Sequence, residues 1–552
     1  MTRRFNIFAG AVAAAMLFGG VSGCGGGGDT HKGDAGNSGS STPHRGGTVV
    51  RRLESECKTL NPVLQTTTYE NYVDRYLFDR LIDWNDKLEY VPVLAKSWDI
   101  SSDHLRITVH MRDDIRWHDG VPITSKDVAF TINKILDPAV PALNTAGYFS
   151  KLDHVETPDA HTVIFVWREA YAPALFAIAQ FSPLPEHVYG VGDFLTNPAN
   201  RKPVGSGPFR FEEWRSGQYI SIVRNDDYYG KKAYLDRVIF KVIEDNAVAL
   251  SALRAGELDE MRLTQIQWER QTNDADFKRR FEKYYYYYPQ YNYLGWNCRS
   301  VWFSDPRVRL AMTYLFDRES INKKLYSGFA RLISGPFYIN SWAYDKSVKP
   351  HPFDPVRAKG LLDEAGWTDH DGDGIRDRNG VKFEFEMLIT ASNVAMQFAQ
   401  LLQEECRKVG IVVKIRQLEG ATFFDRIDSG QFDSCALAWT LDLDPDVYDT
   451  FHSSMVPPKG LNNVFYSNAK VDSLLEAGRT EFSRARRQEC YHAIHRIMHS
   501  DPPYTFVNTV PEKRPISRRI KGVVISPNGP FDFYPGARYW YIDNTADGLA
   551  SQ

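Results

Sequence analysis

The segment from Asp369 to Asp377 carries a dense set of side chains that could bind a metal ion. Oxygen ligands at alternate positions, with glycines for a sharp turn, suit a calcium ion with six to eight oxygens. The candidate ligands are Asp369, Asp371, Asp373 and Asp377. Gly380 stands at the twelfth position, where a complete EF-hand loop has a bidentate Glu, so the ion would need another ligand such as Glu384. We predict a structural calcium site, with a metal-free acidic turn as the alternative.

Three histidines form a second set of candidate metal ligands. In a helix, His492, His495 and His499 would share one ridge. Imidazoles at this spacing can bind zinc, nickel or copper. A solvated polar face explains the same pattern without any ion. Arg496 and its neighbours lack the Glu of the HExxH helix of metalloproteases.

The sequence gives little support to an enzyme. We find no GxSxG nucleophile elbow, no P-loop and no zincin motif, and we predict a binding protein that needs no cofactor. We interpret His118, in Trp117-His-Asp-Gly, as a turn residue. The formal net charge of −3 also gives no reason to expect nucleic acid, which would favour a basic patch.

The elements that must position these residues alternate between strand and helix. His104 to Met111 alternates apolar and polar residues, which is typical of a half-buried strand. Thr124-Ser-Lys-Asp127 resembles a capping box at the start of a helix. Asp305-Pro306 and Asp354-Pro355 begin two further helices. Gln397 to Gly410 predicts another helix, with a strand after it. The class is therefore α/β or mixed α+β, with several sheets.

The N-terminus reads as a secretory signal followed by a tether. Arg3 and Arg4 precede an apolar stretch from Phe5 to Phe18, and residues 1–23 are excluded from the fold. Val21-Ser-Gly-Cys24 resembles a bacterial lipobox, which implies cleavage before Cys24 and lipidation of its thiol. A secreted protein with a chance cysteine is the alternative. Residues 24–45 form a Gly/Ser-rich tether, with a mean span of about 25 Å.

Beyond Cys24 the chain has five cysteines, an odd number with no CxxC pair. One or two disulfides would leave at least one thiol unpaired, and the spacing fixes no connectivity. No later stretch has the ~18 consecutive apolar residues of a membrane-spanning helix.

A series of short segments spans nearly the whole of the chain after the tether. The segments are Val91-Pro-Val-Leu-Ala-Lys-Ser-Trp98, Arg116-Trp-His-Asp-Gly-Val-Pro-Ile-Thr-Ser-Lys-Asp-Val128, Pro203-Val-Gly-Ser-Gly-Pro-Phe209, Arg224-Asn-Asp-Asp-Tyr-Tyr-Gly230, Leu253-Arg-Ala-Gly-Glu-Leu-Asp259 and Phe303-Ser-Asp-Pro-Arg-Val-Arg-Leu-Ala311. Each is weak alone, but their order and spacing resemble the extracellular solute-binding proteins of family 5. These are the peptide- and nickel-type substrate-binding lipoproteins of ABC importers.

This resemblance implies a periplasmic-binding-protein-like fold of two lobes joined by a hinge. Lobe one would comprise residues 46–88, 203–283 and 505–552, and lobe two residues 284–504. An inserted subdomain would cover residues 89–202. The run Tyr284 to Tyr288 would cross between the lobes, and we favour packing at the hinge over ligand contact.

The resemblance also implies the function. A lipid-anchored monomer in the cell envelope, facing the periplasm or the exterior, would capture a di- or oligopeptide and deliver it to ABC permease subunits. A nickel or metal-chelate binder is the alternative, kept open by the histidine ridge. A sensor lipoprotein that reuses the fold is a third interpretation.

In peptide-binding relatives, an Asp shortly after a Trp at a strand end binds the peptide ammonium. The matching residues here are Asp442 as the anchor and Trp439 as a pocket wall, with Asp444 as a competitor because the stretch before Pro445 is one residue short. Aspartates that only organise a turn are the alternative. The arginines that flank this Trp in some oligopeptide binders are missing.

Overall fold

The structure is a computed structural model in which residues 43–142 and 145–543 are described. The predicted signal, Cys24 and the tether up to residue 42 lie outside these ranges. Helices and strands alternate along the chain and build three main sheets, which confirms the predicted mixed α/β class. Within the described residues, no helix combines the length and apolar character needed to cross a membrane.

The first lobe is built on a four-stranded sheet whose strands come from distant parts of the sequence. In order across the sheet they are Thr48–Leu53, Arg237–Val242, Tyr219–Arg224 and Phe209–Arg215. The first pair is parallel and the others are antiparallel. Val238 and Phe240 point into the core while their neighbours are only partly buried, as expected for a sheet with one packed face. The helical segments of this lobe are Thr68–Leu77, Asn246–Ala255, Gln267–Gln271, Ala275–Arg280 and Gly536–Tyr539.

The inserted subdomain has a four-stranded antiparallel sheet. Its order is Ala95–Ile100, Arg106–Met111, Thr162–Trp167 and Leu152–Asp159. Arg106–Met111 has the alternating burial predicted for it. The helix Ser125–Leu136 begins at the predicted capping box, where the Thr124 N–H donates to the Asp127 carboxylate at 2.8 Å. Shorter helical segments are Ala146–Phe149, Ala174–Ala179, Glu186–Tyr189 and Pro198–Asn200. The subdomain shares one continuous apolar core with the first lobe, so the two form a single packed unit.

His118 links two of the short sequence segments that carry the family resemblance, the one that contains His118 and the one that contains Gly205 and Gly207. The Gly205 N–H donates to its Nδ1 at 3.0 Å, and its Nε2 lies 3.0 Å from the Gly207 carbonyl oxygen. A Cβ atom at Gly205 would lie 2.0 Å from the Leu77 carbonyl oxygen, so only glycine allows this close approach. Burial lowers the pKa of His118 to about 4. The histidine therefore fixes backbone, in line with its interpretation as a turn residue.

The second lobe contains a six-stranded sheet. Its order is Arg331–Leu332, Tyr504–Thr509, Gln290–Trp296, Ser434–Thr440, Glu384–Ile389 and Val412–Gln417. Its helices are Pro306–Leu315, Arg318–Tyr326, Pro355–Glu364, Asn393–Arg407, Gly420–Asp428, Tyr448–Phe451, Ala469–Thr480 and Arg484–Ser500. Two apolar clusters cover the opposite faces of this sheet. The remaining short strands are Ile82–Trp84, Tyr90–Pro92, Asp377–Arg378, Val381–Lys382, Ile520–Lys521 and Tyr541–Ile542.

The cysteines add no covalent cross-link to either lobe in the described part of the chain. Cys57, Cys298, Cys406, Cys435 and Cys490 are all free thiols. The sequence allowed one or two disulfides, and none is formed among these five residues. Cys57, Cys406 and Cys435 are buried and act as small apolar side chains.

Two antiparallel chain segments join the lobes and form the hinge. On the first-lobe side Phe281–Tyr287 pairs with Pro511–Ser517, and on the second-lobe side Gln290–Trp296 pairs with Tyr504–Thr509. Pro289 and Pro511 stand at the crossing, where neither can donate a backbone hydrogen bond. The ladder is therefore interrupted between the lobes, which favours bending at this point.

The structure corrects the predicted division at the hinge. Tyr504–Thr509 lies in the six-stranded sheet, so the start of residues 505–552 belongs to the second lobe. Conversely, Phe281–Tyr287 pairs with Pro511–Ser517, so the second lobe begins near Gln290 and not at residue 284. Each strand keeps an extended backbone through the crossing, and the sequence pattern therefore has no break that marks the boundary.

Candidate ligand-binding site

A cavity of about 130 Å³ lies between the lobes next to the hinge. Residues of the first lobe, the inserted subdomain, the hinge and the second lobe line it; they include Arg80, Trp84, Gln180, Tyr288, Asp442 and Asp532. The two lobes thus lie close together over a small polar space that remains partly open to solvent.

Direct contacts between the inserted subdomain and the second lobe hold this closed arrangement. The Ala172 N–H donates to the Arg479 carbonyl oxygen at 2.6 Å. The rings of His104 and Phe482 stack with centroids 3.7 Å apart. Leu443 packs against the apolar core of the first lobe. Closure therefore brings the loop after the strand Ser434–Thr440 against the opposite lobe.

Asp442 lies in that loop and is the second lobe's carboxylate in the cavity wall. The Tyr148 hydroxyl of the inserted subdomain donates to it at 2.8 Å. No Lys, Arg or His among the described residues lies within 4 Å of this carboxylate, although its surface is accessible from the cavity. The Asp442 side chain is exposed toward this space, and desolvation by the surrounding protein of both lobes raises its pKa to about 6, with Asp444 and Asp446 adding to the shift. The site therefore holds an acid without a counter-ion.

Asp444 and Asp446 differ from Asp442 because each has an arginine partner. Arg487 donates to both oxygens of Asp444, at 2.8 and 3.1 Å, and the two side chains are buried. Arg479 donates to Asp446 at 2.7 Å. Asp444, the predicted competitor for the ammonium, is thus engaged in a structural ion pair and does not line the cavity.

Trp439 packs inside the second lobe and does not line the cavity. Its ring is parallel to that of Tyr293, with centroids 6.2 Å apart, and its Nε1–H donates to the Tyr504 hydroxyl at 3.3 Å. Alternation along the strand Ser434–Thr440 directs Trp439 into the core. The structure thus places Trp439 behind the loop of Asp442, where it supports that loop and forms no pocket wall.

The five-tyrosine run divides between two roles. Tyr286 and Tyr287 are buried at the hinge, and Tyr287 donates to the Phe329 carbonyl oxygen at 2.8 Å. Tyr285 is 49% exposed. Tyr288, next to Pro289, lines the cavity. Hinge packing is confirmed for Tyr286 and Tyr287, while the Tyr288 ring faces the ligand space.

The acidic loop from Asp369 to Asp377 already contains a cation from the chain itself. The Lys382 ammonium lies 2.6 Å from the Asp371 carboxylate and 2.9 Å from that of Asp373. Oxygens of Asp369, Asp371 and Asp373 lie within 4.8 Å of one another, at exposed positions. Asp377 instead faces the His370 ring and N–H, each at 3.0 Å. Any calcium ion would have to compete with Lys382, and calcium binding stays a prediction.

The three histidines of the helix Arg484–Ser500 pack against the segment that follows the strand Arg331–Leu332. His492 Nε2 lies 3.2 Å from the Trp342 carbonyl oxygen, and His499 Nε2 lies 2.9 Å from that of Lys349. His495 is fully buried, and the Asp345 N–H donates to its Nδ1 at 3.1 Å. The three histidines therefore form neither a metal site nor a solvated polar face. They join the helix to the neighbouring loop.

A mixed α/β protein whose two lobes close at a two-stranded hinge over a polar cavity has the design of the solute-binding proteins found outside the cytoplasm. The chain belongs to the bacterial extracellular solute-binding proteins of family 5, whose model matches residues 89–458. The expected two-lobed, periplasmic-binding-protein-like fold is thereby confirmed.

Individual relatives support this assignment over nearly the full length. The oligopeptide-binding protein AppA of Bacillus subtilis is 31% identical over 510 residues, which cover 90% of this chain and 92% of AppA. The structure of that AppA in complex with a nonapeptide gives a TM-score of 0.74 at 30% identity, covering 91% of this chain and all of AppA. NikZ of Campylobacter jejuni, in complex with Ni(L-His), gives 0.74 at 28% identity, covering 90% and 99% of the two chains.

Proposed function

We propose that this protein captures a peptide between its lobes and delivers it to the permease subunits of an ABC importer. The observation that carries the proposal is Asp442, a carboxylate in the cavity wall that has no cation within 4 Å in the described structure. The Asp442 side chain is exposed toward the cavity in this form, and closure over a ligand would remove it from water, where a carboxylate without a counter-ion is costly. The N-terminal ammonium of a peptide would supply that counter-ion and stabilise the closed form.

Two further observations fit a peptide ligand. The relative AppA is named an oligopeptide-binding protein and has been crystallised with a nonapeptide. The cavity of about 130 Å³ is far smaller than a nonapeptide, so entry of a ligand of any length above a few residues requires opening at the hinge. Binding and closure are thus coupled in this proposal.

A metal chelate is the second candidate, because NikZ, 28% identical, was crystallised with Ni(L-His). The histidine ridge no longer supports it, since His492, His495 and His499 contact protein groups. A chelate would therefore enter the same cavity, with its cationic part at Asp442. Peptides and chelates then compete for one site.

The cellular setting is part of the proposal. We place the protein in the cell envelope as a monomer, attached through a lipid on Cys24 and a short tether, and acting as a carrier without catalysis. A Cys24→Ser variant is expected to move from the membrane fraction to the released fraction. A variant that stays fully membrane-bound would contradict the anchor.

Native mass spectrometry of the purified protein tests the proposed ligand. The protein is offered a dipeptide-to-pentapeptide library with and without Ni²⁺, and Asp442→Asn serves as the matched variant. We expect peptide adducts that do not depend on metal and that are lost in Asp442→Asn. Adducts that appear only with metal would favour the chelate, and a protein that retains neither would reopen a sensor role.

A further inference from the structure

Arg80 presents an unsatisfied positive charge to the same cavity. Its guanidinium makes no hydrogen bond to the described residues, and the nearest carboxylate, Asp83, lies 3.9 Å away. Only 14% of the side chain is exposed. A guanidinium has five N–H donors, and a largely buried one without acceptors is unfavourable. The cavity thus has an open cation in the first lobe and an open anion in the second.

Two of the neighbouring acids are engaged elsewhere, and a third is more distant. Asp83 lies 2.8 Å from Arg75, so two guanidiniums share one carboxylate. Asp79 accepts hydrogen bonds from Arg538 and from the hydroxyls of two tyrosines. Asp532 also lines the cavity; it accepts from Asn71 at 3.0 Å and lies more than 4 Å from Arg80, on which it acts as a longer-range charge.

Arg80 is held on a rigid part of the first lobe. It lies between the helix Thr68–Leu77 and the strand Ile82–Trp84, and its carbonyl oxygen accepts from the Leu94 N–H at 3.1 Å. The guanidinium carbon lies 5.6 Å from the ring centre of Trp84, which is buried. Burial lowers the pKa of Arg80 to about 10, so it stays charged at neutral pH.

We propose that Arg80 binds a carboxylate of the ligand, so that the site selects zwitterions whose ammonium lies at Asp442 and whose carboxylate lies at Arg80. Both residues line the same cavity, so a short peptide with free termini is the ligand class that would bring both charges to it. This inference rests on the proposed peptide function. Arg80 would thus supply, from the opposite lobe, a cation in place of the arginines that are missing around Trp439.

The test measures binding of matched dipeptides and tripeptides with a free or an amidated C-terminus by isothermal titration calorimetry. The wild-type protein is expected to bind the free acids at least about 30-fold more tightly, the lower bound for removing one partner of an enclosed charge pair. Arg80→Gln is expected to bind the free acids only as weakly as the amides, so that the preference for a free C-terminus is lost. Arg80→Lys should recover part of the discrimination.

Further arms separate the alternative outcomes. An amidated peptide with an acidic side chain that binds in an Arg80-dependent way would support Arg80 as the anchor and place the carboxylate on the side chain. Thermal unfolding checks the fold of Arg80→Gln; if it does not fold, the wild-type and Arg80→Lys preferences decide.

Equal binding of acids and amides by the wild-type protein would overturn the inference while leaving the peptide function intact. If folded Arg80→Gln still prefers the free acids to the amides, the inference is likewise overturned and the peptide function remains. Failure to bind any peptide would overturn both the inference and the proposed function.

Discussion

Two aspartate-rich segments of the second lobe have similar sequences and different environments. In the loop of Asp442, Asp444 and Asp446, arginines from the two C-terminal helices of the lobe pair with the last two acids and leave the first facing the cavity. In the loop from Asp369 to Asp377, Lys382, His370 and backbone N–H groups neutralise the acids at exposed positions.

The difference shows that spacing of acids does not define a binding site by itself. What matters is which acid the fold leaves without a partner, and whether that acid faces the space between the lobes. In the loop from Asp369 to Asp377 the charges are already offset, whereas Asp442, exposed at the cavity wall, has no cation within 4 Å in the described structure. The following experiments test this contrast.

The largest effect is expected from Asp444→Asn. It leaves Arg487 buried without its anion, and breaking a buried ion pair costs about 3–5 kcal/mol of unfolding free energy. Urea unfolding at neutral pH measures it. The double variant Asp444→Asn with Arg487→Met should recover most of the loss. A loss below about 1 kcal/mol in the single variant would mean that the pair is solvated.

Asp442→Asn should instead act on ligand binding. Removal of the anchor is expected to weaken peptide affinity by about 30-fold or more, equivalent to 2–5 kcal/mol. The free energy of unfolding should not fall, because Asp442 has no cation to lose. Asp373→Asn in the exposed loop is the matched control and should leave affinity unchanged. If both substitutions weaken binding equally, the contrast between the loops is wrong.

Peptide affinity should depend on pH through Asp442. Its pKa of about 6 in the closed protein means that protonation removes the anchor as the pH falls below 6, with up to about a tenfold loss per pH unit. Titrations from pH 5 to 8 measure the effect, which should disappear in Asp442→Asn.

The raised pKa of Asp442 also makes the free energy of unfolding depend on pH. The direction is opposite to that of an acid whose pKa is lowered by an ion pair. The ordinary pKa of Asp is about 3.9, so between pH 4 and 6 the folded protein binds more protons at this site than the unfolded chain. The wild type should therefore lose stability relative to Asp442→Asn as the pH rises through that window. A constant difference between the two proteins from pH 4 to 7 would argue against the raised pKa.

Calcium should have the smallest effect. For a site of the weak extracellular class, with a Kd of about 10⁻⁴–10⁻³ M, 1 mM Ca²⁺ would stabilise the fold by about 0.4–1.4 kcal/mol. Thermal unfolding with calcium and with chelator measures the gain, and Asp373→Asn should remove it. No shift in the wild type would argue against calcium binding at this loop.

Local signals in the sequence predicted much of the fold. Asp305 and Asp354 cap the helices Pro306–Leu315 and Pro355–Glu364 as expected, because a side-chain oxygen followed by proline specifies a helix start within a few residues. The hinge boundary was misplaced because an extended strand has the same pattern in both lobes.

The site was only partly predictable. Asp442 could be named through the family resemblance, but nothing in the sequence states that Arg487 and Arg479 neutralise its neighbours Asp444 and Asp446, which lie 43 and 33 positions away from them. Tyr148 and Arg80 belong to segments about 300 residues or more from Asp442, with no local motif. The resemblance implies a cavity position for Trp439, and strand alternation alone does not tell that its side of the strand faces the core.

The interrupted ladder at Pro289 and Pro511 has a mechanical consequence. Two chain segments tied together on both sides of the crossing resist relative twisting, while the gap between the ladders is the most compliant part of the connection. We therefore expect a rotation about an axis through the two prolines to be the easiest relative motion of the lobes. A partner that contacts both lobes could then distinguish the ligand-bound protein from the empty one by the angle between the lobes, without contacting the ligand.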